Sequence, residues 1–236
     1  MASIYLIRHG QASWGKPEYD QLSTLGCEQS VILGRHWQNM VKPDLYYSGG
    51  MIRHGKTAEH FFNGLEQYQS ITSHLGFNEF DHMDVLSCYQ PDWIDQRKFN
   101  QFLKLQKNPN KAFIVEFTQA LKRWFSGDFS DYKESFVVFK QRCSKALEDV
   151  IKQVHLQQDA TGKSAENIMI FTSGGVIASI CAHVLGIGDK EMMSLNQQLV
   201  NTSVTKLLFN KDKVTLDSVN NYSHVELAGS KFITRK

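Results

Sequence analysis

Cysteine is scarce and scattered in this chain. Cys27, Cys88, Cys143 and Cys181 have neither Cys-x-x-Cys spacing nor the density of a disulfide scaffold, so a disulfide-stapled fold is excluded. Reduced thiols in a cytoplasmic protein are the expectation. No run of about eighteen apolar residues occurs, so no membrane-spanning helix is expected. Residues Met1 to Gly10 lack the basic start and apolar stretch of a signal peptide and read as the opening of a structural strand. Only four prolines occur in 236 residues, and 42% of the chain is hydrophobic, which excludes disordered, collagenous and low-complexity classes. Charge of one sign is also missing: the formal total is +2 and says little about partners. A sizeable core within one domain over residues 1–236 follows from length and apolar content.

What is present alternates between strands and helices. Ser3 to Ile7 is a short apolar run without alternation, the pattern of a strand buried on both faces of a parallel sheet. Leu22 to Glu28 opens a helix with Ser23 or Thr24 as N-cap, running towards Met40 and halted near Pro43. Asp44 to Ser48 reads as a second strand, followed by glycines and a helix over about Arg53 to Phe62. Asn167 to Phe171 is a third strand, ended by Thr172-Ser173-Gly174-Gly175 before an apolar helix from Val176 to Leu185. Ser203 to Phe209 and Val214 to Val219 flank a polar turn, a hairpin signal. Between about 97 and 156 the pattern is helical, with Phe136, Phe139, Cys143, Ala146, Leu147, Val150, Ile151 and Val154 spaced as a core-facing stripe. The expectation is a three-layer α/β/α sandwich with a mostly parallel central sheet and a helical insertion.

In such sheets ligands bind beyond the carboxyl ends of the strands. Three ends carry polar residues: Arg8-His9-Gly10, then Ser48-Gly49-Gly50 leading to Arg53, and Thr172 to Gly175. Only seven arginines occur, so two at strand ends carry weight. An imidazole, two guanidiniums and a glycine turn entering a helix make an anion site, with a phosphoryl group the obvious anion.

These segments resemble the histidine phosphatase superfamily, in its phosphoglycerate mutase-like branch. Ile7-Arg8-His9-Gly10-Gln11 resembles the opening signature, and Leu22 to Gly26 with Gln29 the first-helix motif. Tyr47-Ser48 with Arg53 and Thr57-Ala58 is similar to the second-arginine segment, and Phe77-Asn78-Glu79-Phe80-Asp81 to the acidic segment. Phe171 to Gly175 stands where the family has its second histidine motif. Five motifs in order are far more specific than Arg-His-Gly alone. The resemblance implies a metal-independent phosphatase in which His9 attacks phosphorus to form a phosphohistidine. It further implies Glu79 as general acid and base, with Arg8, Arg53, Gln11 and Ser173 as phosphate ligands and no cofactor. A small phosphorylated substrate is implied, with no nucleic acid and no membrane; a homodimer is left open.

Two departures stand out. Ser173 replaces the second histidine, and Ala12-Ser13-Trp14-Gly15 lacks an asparagine found near the first motif. A serine hydroxyl donates one hydrogen bond but carries no charge, so weaker phosphate binding follows. Gln11, Ser13, His54 and His82 are the candidates to compensate, and sequence does not rank them. A weakened phosphate-binding or protein-interaction module of the same fold is the alternative to an enzyme, with a phosphomutase behind both. Gly50-Met51-Ile52-Arg53-His54-Gly55-Lys56-Thr57 also matches the P-loop pattern and would suggest nucleotide hydrolysis. It lacks a second strand ending in a metal-binding aspartate. No cysteine has an arginine six positions on, which excludes the tyrosine-phosphatase loop, and Ser173 lacks the Gly-x-Ser-x-Gly elbow. From Arg97 to Lys145 eleven Lys and Arg stand against four Asp and Glu, an excess of +7. That suggests a solvated helical face or a lid that attracts an anionic ligand.

Overall fold

The computed structural model describes residues 1–13, 20–162 and 164–235; Trp14 and Gly15 of the departure noted above lie outside them. The described elements are, in order, β1 (Ala2–Arg8), α1 (Thr24–Trp37), β2 (Leu45–Ser48), α2 (Ile52–Leu65), β3 (Thr72–Ser73), α3 (His82–Tyr89), α4 (Gln96–Lys104), α5 (Pro109–Ser126) and α6 (Phe136–Thr161). They continue as β4 (Asn167–Thr172), α7 (Gly174–Leu185), α8 (Asp189–Gln198), β5 (Val204–Phe209), β6 (Val214–Asn221) and α9 (Ser223–Ala228). Contacts divide the chain into two compact units, one of residues 1–79 and 143–236, the other of residues 80–142.

The first unit holds a six-stranded sheet in the order β3-β2-β4-β1-β5-β6. Its first four strands are parallel, while β5 and β6 form the expected antiparallel hairpin at one edge. Side chains alternate across the sheet. Tyr5 and Ile7 of β1, Tyr46 of β2 and Met169 and Phe171 of β4 pack with Leu33 and Trp37 of α1 and Phe61 and Phe62 of α2. Residues of opposite parity face the other layer, where Tyr47 donates from its hydroxyl to Gln153 Oε1 of α6 at 3.0 Å. The α/β fold expected from the strand and helix pattern is therefore present.

Register sets up the functional end of the sheet. Arg8 pairs with Thr172 and Ser48 with Phe171, so β1, β2 and β4 end level with one another. Because β5 runs antiparallel to β1, with Ile7 opposite Val204, the segment entering β5 reaches that same end.

The second unit is helical with an aromatic core. Trp124 lies 4.6 Å from Phe80 and 5.1 Å from Phe136 between ring centroids, and Trp93 lies 4.9 Å from Phe99. α3 is started by Asp81, whose Oδ1 accepts from the backbone of Met83 and Asp84. The +7 read over 97–145 does not describe this unit. Residues 80–142 hold ten Lys and Arg against eight Asp and Glu, a net of +2, because Asp81, Asp84, Asp92 and Asp95 belong to it and Lys145 does not. Several of its cations are ion-paired: Arg97 with Asp95, Lys98 with Asp92, Arg123 with Asp131 and Arg142 with Glu134. No helix among the described residues is long and apolar enough to cross a membrane.

Candidate active site

The level ends of β1 and β4 put His9 next to Ser173. His9 donates its backbone N–H to the carbonyl of Thr172 at 2.9 Å. From the other side Asn201 Nδ2 donates to His9 O at 3.1 Å, and Thr202 N donates to Arg8 O at 3.0 Å. The nucleophile candidate is thus held by backbone on both flanks. Its ring is oriented as well: Nδ1 lies 2.7 Å from Gly10 O. A carbonyl only accepts, so Nδ1 carries the proton and Nε2 keeps its lone pair. Burial pushes the His9 pKa well below the ordinary histidine value, and Arg53, Arg8 and His54 lower it further. The ring is neutral at neutral pH.

Arg8 and Arg53 are both buried. Arg8 Nη1 donates to the carbonyl of Leu199. Its guanidinium lies over the start of α7, where a Cβ added to Gly174 would stand 3.5 Å from Arg8 Nε. Arg53 Nη1 meets Asp20 Oδ1 at 2.8 Å, and Asp20 Oδ2 accepts from Ile52 N at 2.8 Å. One carboxylate thereby holds both the arginine and the first N–H of α2. Thr57 ties α2 to the first motif, since its Oγ1 accepts from Gly10 N at 3.0 Å while donating to Arg53 O at 2.7 Å.

Glu79 reaches the same place. Its Oε2 accepts from Gly175 N at 2.9 Å, and a Cβ on Gly175 would stand 2.3 Å from Oε1. The two glycines are what let Arg8 and Glu79 approach the helix start, where unpaired N–H groups favour an anion. Thr172 Oγ1 donates to Phe77 O at 2.7 Å and fixes the strand end to the acidic segment.

Ser173 occupies the N-cap position of α7 yet makes no side-chain cap bond. Its hydroxyl lies 2.7 Å from His54 Nε2. His54 is fully buried, with its ring centroid 5.8 Å from that of His9. Burial and then Arg53 push its pKa well below the ordinary value, against the opposing influence of the Gly49 backbone. Of the four candidate compensators, His54 is the one in contact with Ser173. Gln11 turns elsewhere: its Oε1 accepts from Ser23 Oγ at 2.8 Å, alongside the cap of α1. Ser13 donates to Leu22 O at 2.9 Å within the Ala12–Leu22 bridge. His82 begins α3 in the other unit.

The P-loop match does not survive the backbone. The helix has already begun at Ile52, and the N–H groups of His54 and Gly55 both donate to Met51 O, so they cannot cradle phosphates. Lys56 pairs at the surface with Glu59 at 2.6 Å. No group of three or more His, Cys, Asp or Glu side chains able to hold a metal ion occurs among the described residues.

Asp20, Asn201 and Thr202 are the site residues that the sequence did not reveal. Asn201 and Thr202 arrive through the pairing of β5 with β1, which no local pattern encodes. Thr202 adopts a left-handed backbone, φ 60°, and its side chain lies 3.0 Å from His224 Nε2.

A protein-family model described as the histidine phosphatase superfamily (branch 1) matches residues 4–112 and 100–222. Among solved structures, a phosphoglycerate mutase from Bacillus anthracis str. Sterne is 16% identical with a TM-score of 0.65 and covers 95% of each chain. A putative alpha-ribazole-5'-P phosphatase from Escherichia coli K-12 is 16% identical, with a TM-score of 0.64 and coverage of 94% of this chain and 97% of that one. A mutant phosphoserine phosphatase from Entamoeba histolytica, in complex with phosphoserine, is 18% identical with a TM-score of 0.62 and covers 95% of this chain and 100% of its own. At such identities the likeness is one of fold. No curated protein matches the sequence.

Proposed function

The chain belongs to the histidine phosphatase superfamily, and from that premise we propose that it hydrolyses a small phosphomonoester through a phosphohistidine on His9, without a metal. The observation that carries this reading is the His9 ring. Its Nδ1 proton is given to Gly10 O at 2.7 Å, and the neutral Nε2 is left as the nucleophile between two buried arginines.

In the first step Nε2 attacks phosphorus, the P–O ester bond breaks, and Glu79 in its acid form gives its proton to the departing alkoxide. In the second step water attacks the phosphohistidine, and the Glu79 carboxylate takes the proton of that water. The P–N bond breaks, and His9 is restored with release of inorganic phosphate. Arg8, Arg53 and the first N–H groups of α7 other than that of Gly175, which Glu79 holds, supply positive charge to the equatorial oxygens throughout, the role a metal ion fills elsewhere. Gln11 would reach the phosphate only through its side-chain NH2, since its side-chain oxygen accepts from Ser23 and its backbone N–H donates to Gln29 Oε1 at 2.9 Å.

Asp20 favours a second reading. A carboxylate already on Arg53 suits a weakly turning phosphate-binding module of the same fold.

Incubation with p-nitrophenyl phosphate in the presence of a chelator separates the two. Nitrophenol and phosphate released in equal amounts by the wild type, and by neither His9→Ala nor the buffer, is the expected result. Undiminished turnover in His9→Ala would remove the nucleophile from the reading.

A further inference from the structure

We propose that His54 and Ser173 act as one phosphoryl-binding unit, in which His54 is a positioning residue that holds the Ser173 hydroxyl as a donor to a phosphoryl oxygen. This rests on the reading of the His9 site as a phosphoryl site, but not on turnover there.

Three observations carry it. Ser173 stands at the N-cap of a twelve-residue helix and leaves the cap unmade. A serine there normally turns its oxygen back on the helix N–H groups. Here the oxygen is instead 2.7 Å from His54 Nε2. Second, the His54 ring is fully buried and its Nδ1 has no aligned hydrogen-bond partner. In the proposed unit the neutral ring carries its proton on Nε2 and donates to Ser173 Oγ, leaving Nδ1 beside the Gly49 backbone as the unprotonated nitrogen. The hydroxyl hydrogen must then point to another acceptor. Third, His9 donates to Thr172 O and Arg8 lies against Gly174, so the residue between them faces the phosphorus position. Ser173 and His54 are both fully buried.

The sequence around the pair is arranged for it. A Cβ at position 49 would stand 2.3 Å from His54 Nδ1 and 2.7 Å from Phe77 O, so glycine there makes the space for the ring. The imidazole absent from position 173 is thus present on α2, one residue after Arg53, and meets the Ser173 hydroxyl.

Binding of orthovanadate and of inorganic phosphate, followed by calorimetry, tests the unit without requiring turnover. His54→Ala is expected to weaken binding about tenfold or more, equivalent to about 1.4 kcal/mol. Ser173→Ala should weaken it by a similar factor, and the double variant by little more than either. Exchanging the pair, with His54→Ala and Ser173→His together, is expected to restore binding to within a few-fold of wild type, which a merely structural role for His54 would not do. Independent, additive losses with no recovery in the exchanged variant would overturn the proposal. Should the variants not fold, nitrogen-15 spectra of the wild-type histidines decide: His54 protonated on Nε2 and shifted by added phosphate supports the unit. A His54 signal untouched by phosphate overturns it. Binding that depends on His54 in a protein that forms no phosphohistidine would refute the proposed reaction and leave this pair standing. Normal phosphoenzyme and unchanged vanadate affinity in His54→Ala would do the reverse.

Discussion

Arg8 and Arg53, in the sheet-bearing unit, are buried around two imidazoles, Arg8 donating to the carbonyl of Leu199 and Arg53 to the carboxylate of Asp20. Arg97, Arg123 and Arg142, in the helical unit, each meet a carboxylate of their own neighbourhood, at 3.1, 2.8 and 2.7 Å, and keep some or most of their surface in water. The guanidinium is the same in both places, and its surroundings decide its use. A cation neutralised at the surface contributes little to stability or recognition. A buried pair held by carbonyl, carboxylate and the packing of α7 is an electrostatic well for an anion, because its charges are little screened. The local excess of +7 in the sequence points toward the region where cations are densest along the chain, whereas the two buried arginines stand in the other.

The largest expected effect comes from emptying that well. Arg53→Ala should lower kcat/KM for an aryl phosphate by about a thousandfold, the scale for removing a preorganised charge partner of the transition state. A loss below about tenfold would place Arg53 with the surface arginines. Glu79→Gln is expected to cost about a hundredfold, as for other general acids, and less with leaving groups that need no proton. Equal losses for p-nitrophenyl phosphate and an alkyl phosphate would argue against the proton-transfer role.

A smaller effect separates the two regions by pH. The His224 pKa is pushed down to about 3 from 6.5, by burial and then by His36, and His9 and His54 shift in the same direction. A folded value below the unfolded one means that the unfolded chain binds the extra proton, so stability is intact above about pH 6.5 and is lost as pH falls toward 3. Thermal melting between pH 7 and 4.5 should show this fall, and His224→Gln should make it shallower. A slope unchanged by that substitution would show His224 to be protonated in the fold. The smallest effect is for Arg97→Gln, which should alter neither kcat/KM nor the melting temperature measurably, since the Arg97 side chain is almost wholly exposed.

Most of the fold could be read from the chain because buried parallel strands and capped helices are local statements. Ser3 to Ile7 and Asn167 to Phe171 carry their own pattern, and Ser23 caps α1 as its position suggests. The arrangement of Arg8, His9, Arg53 and Glu79 was likewise legible through motif order, although sequence could not place Glu79 on the N–H of Gly175. Ranking His54 above Gln11, Ser13 and His82 required the rotation of α2. That rotation is fixed by the Thr57 bond to Gly10, between residues 47 positions apart. Asp20 and Asn201 were hidden for the same reason: one follows an unpatterned segment, and the other depends on β5 pairing beside β1. The P-loop match misled because a pattern of residue types does not report where a helix begins.

The central claim is a covalent phosphate on His9, and rapid quenching of the protein during turnover, followed by peptide mass analysis and acid treatment, tests it most directly. A phosphate on the peptide containing His9, stable in alkali and lost in acid, is the predicted result. An acid-stable phosphate on Ser173, or sustained turnover with no phosphorylated His9 at any quench time, would contradict it.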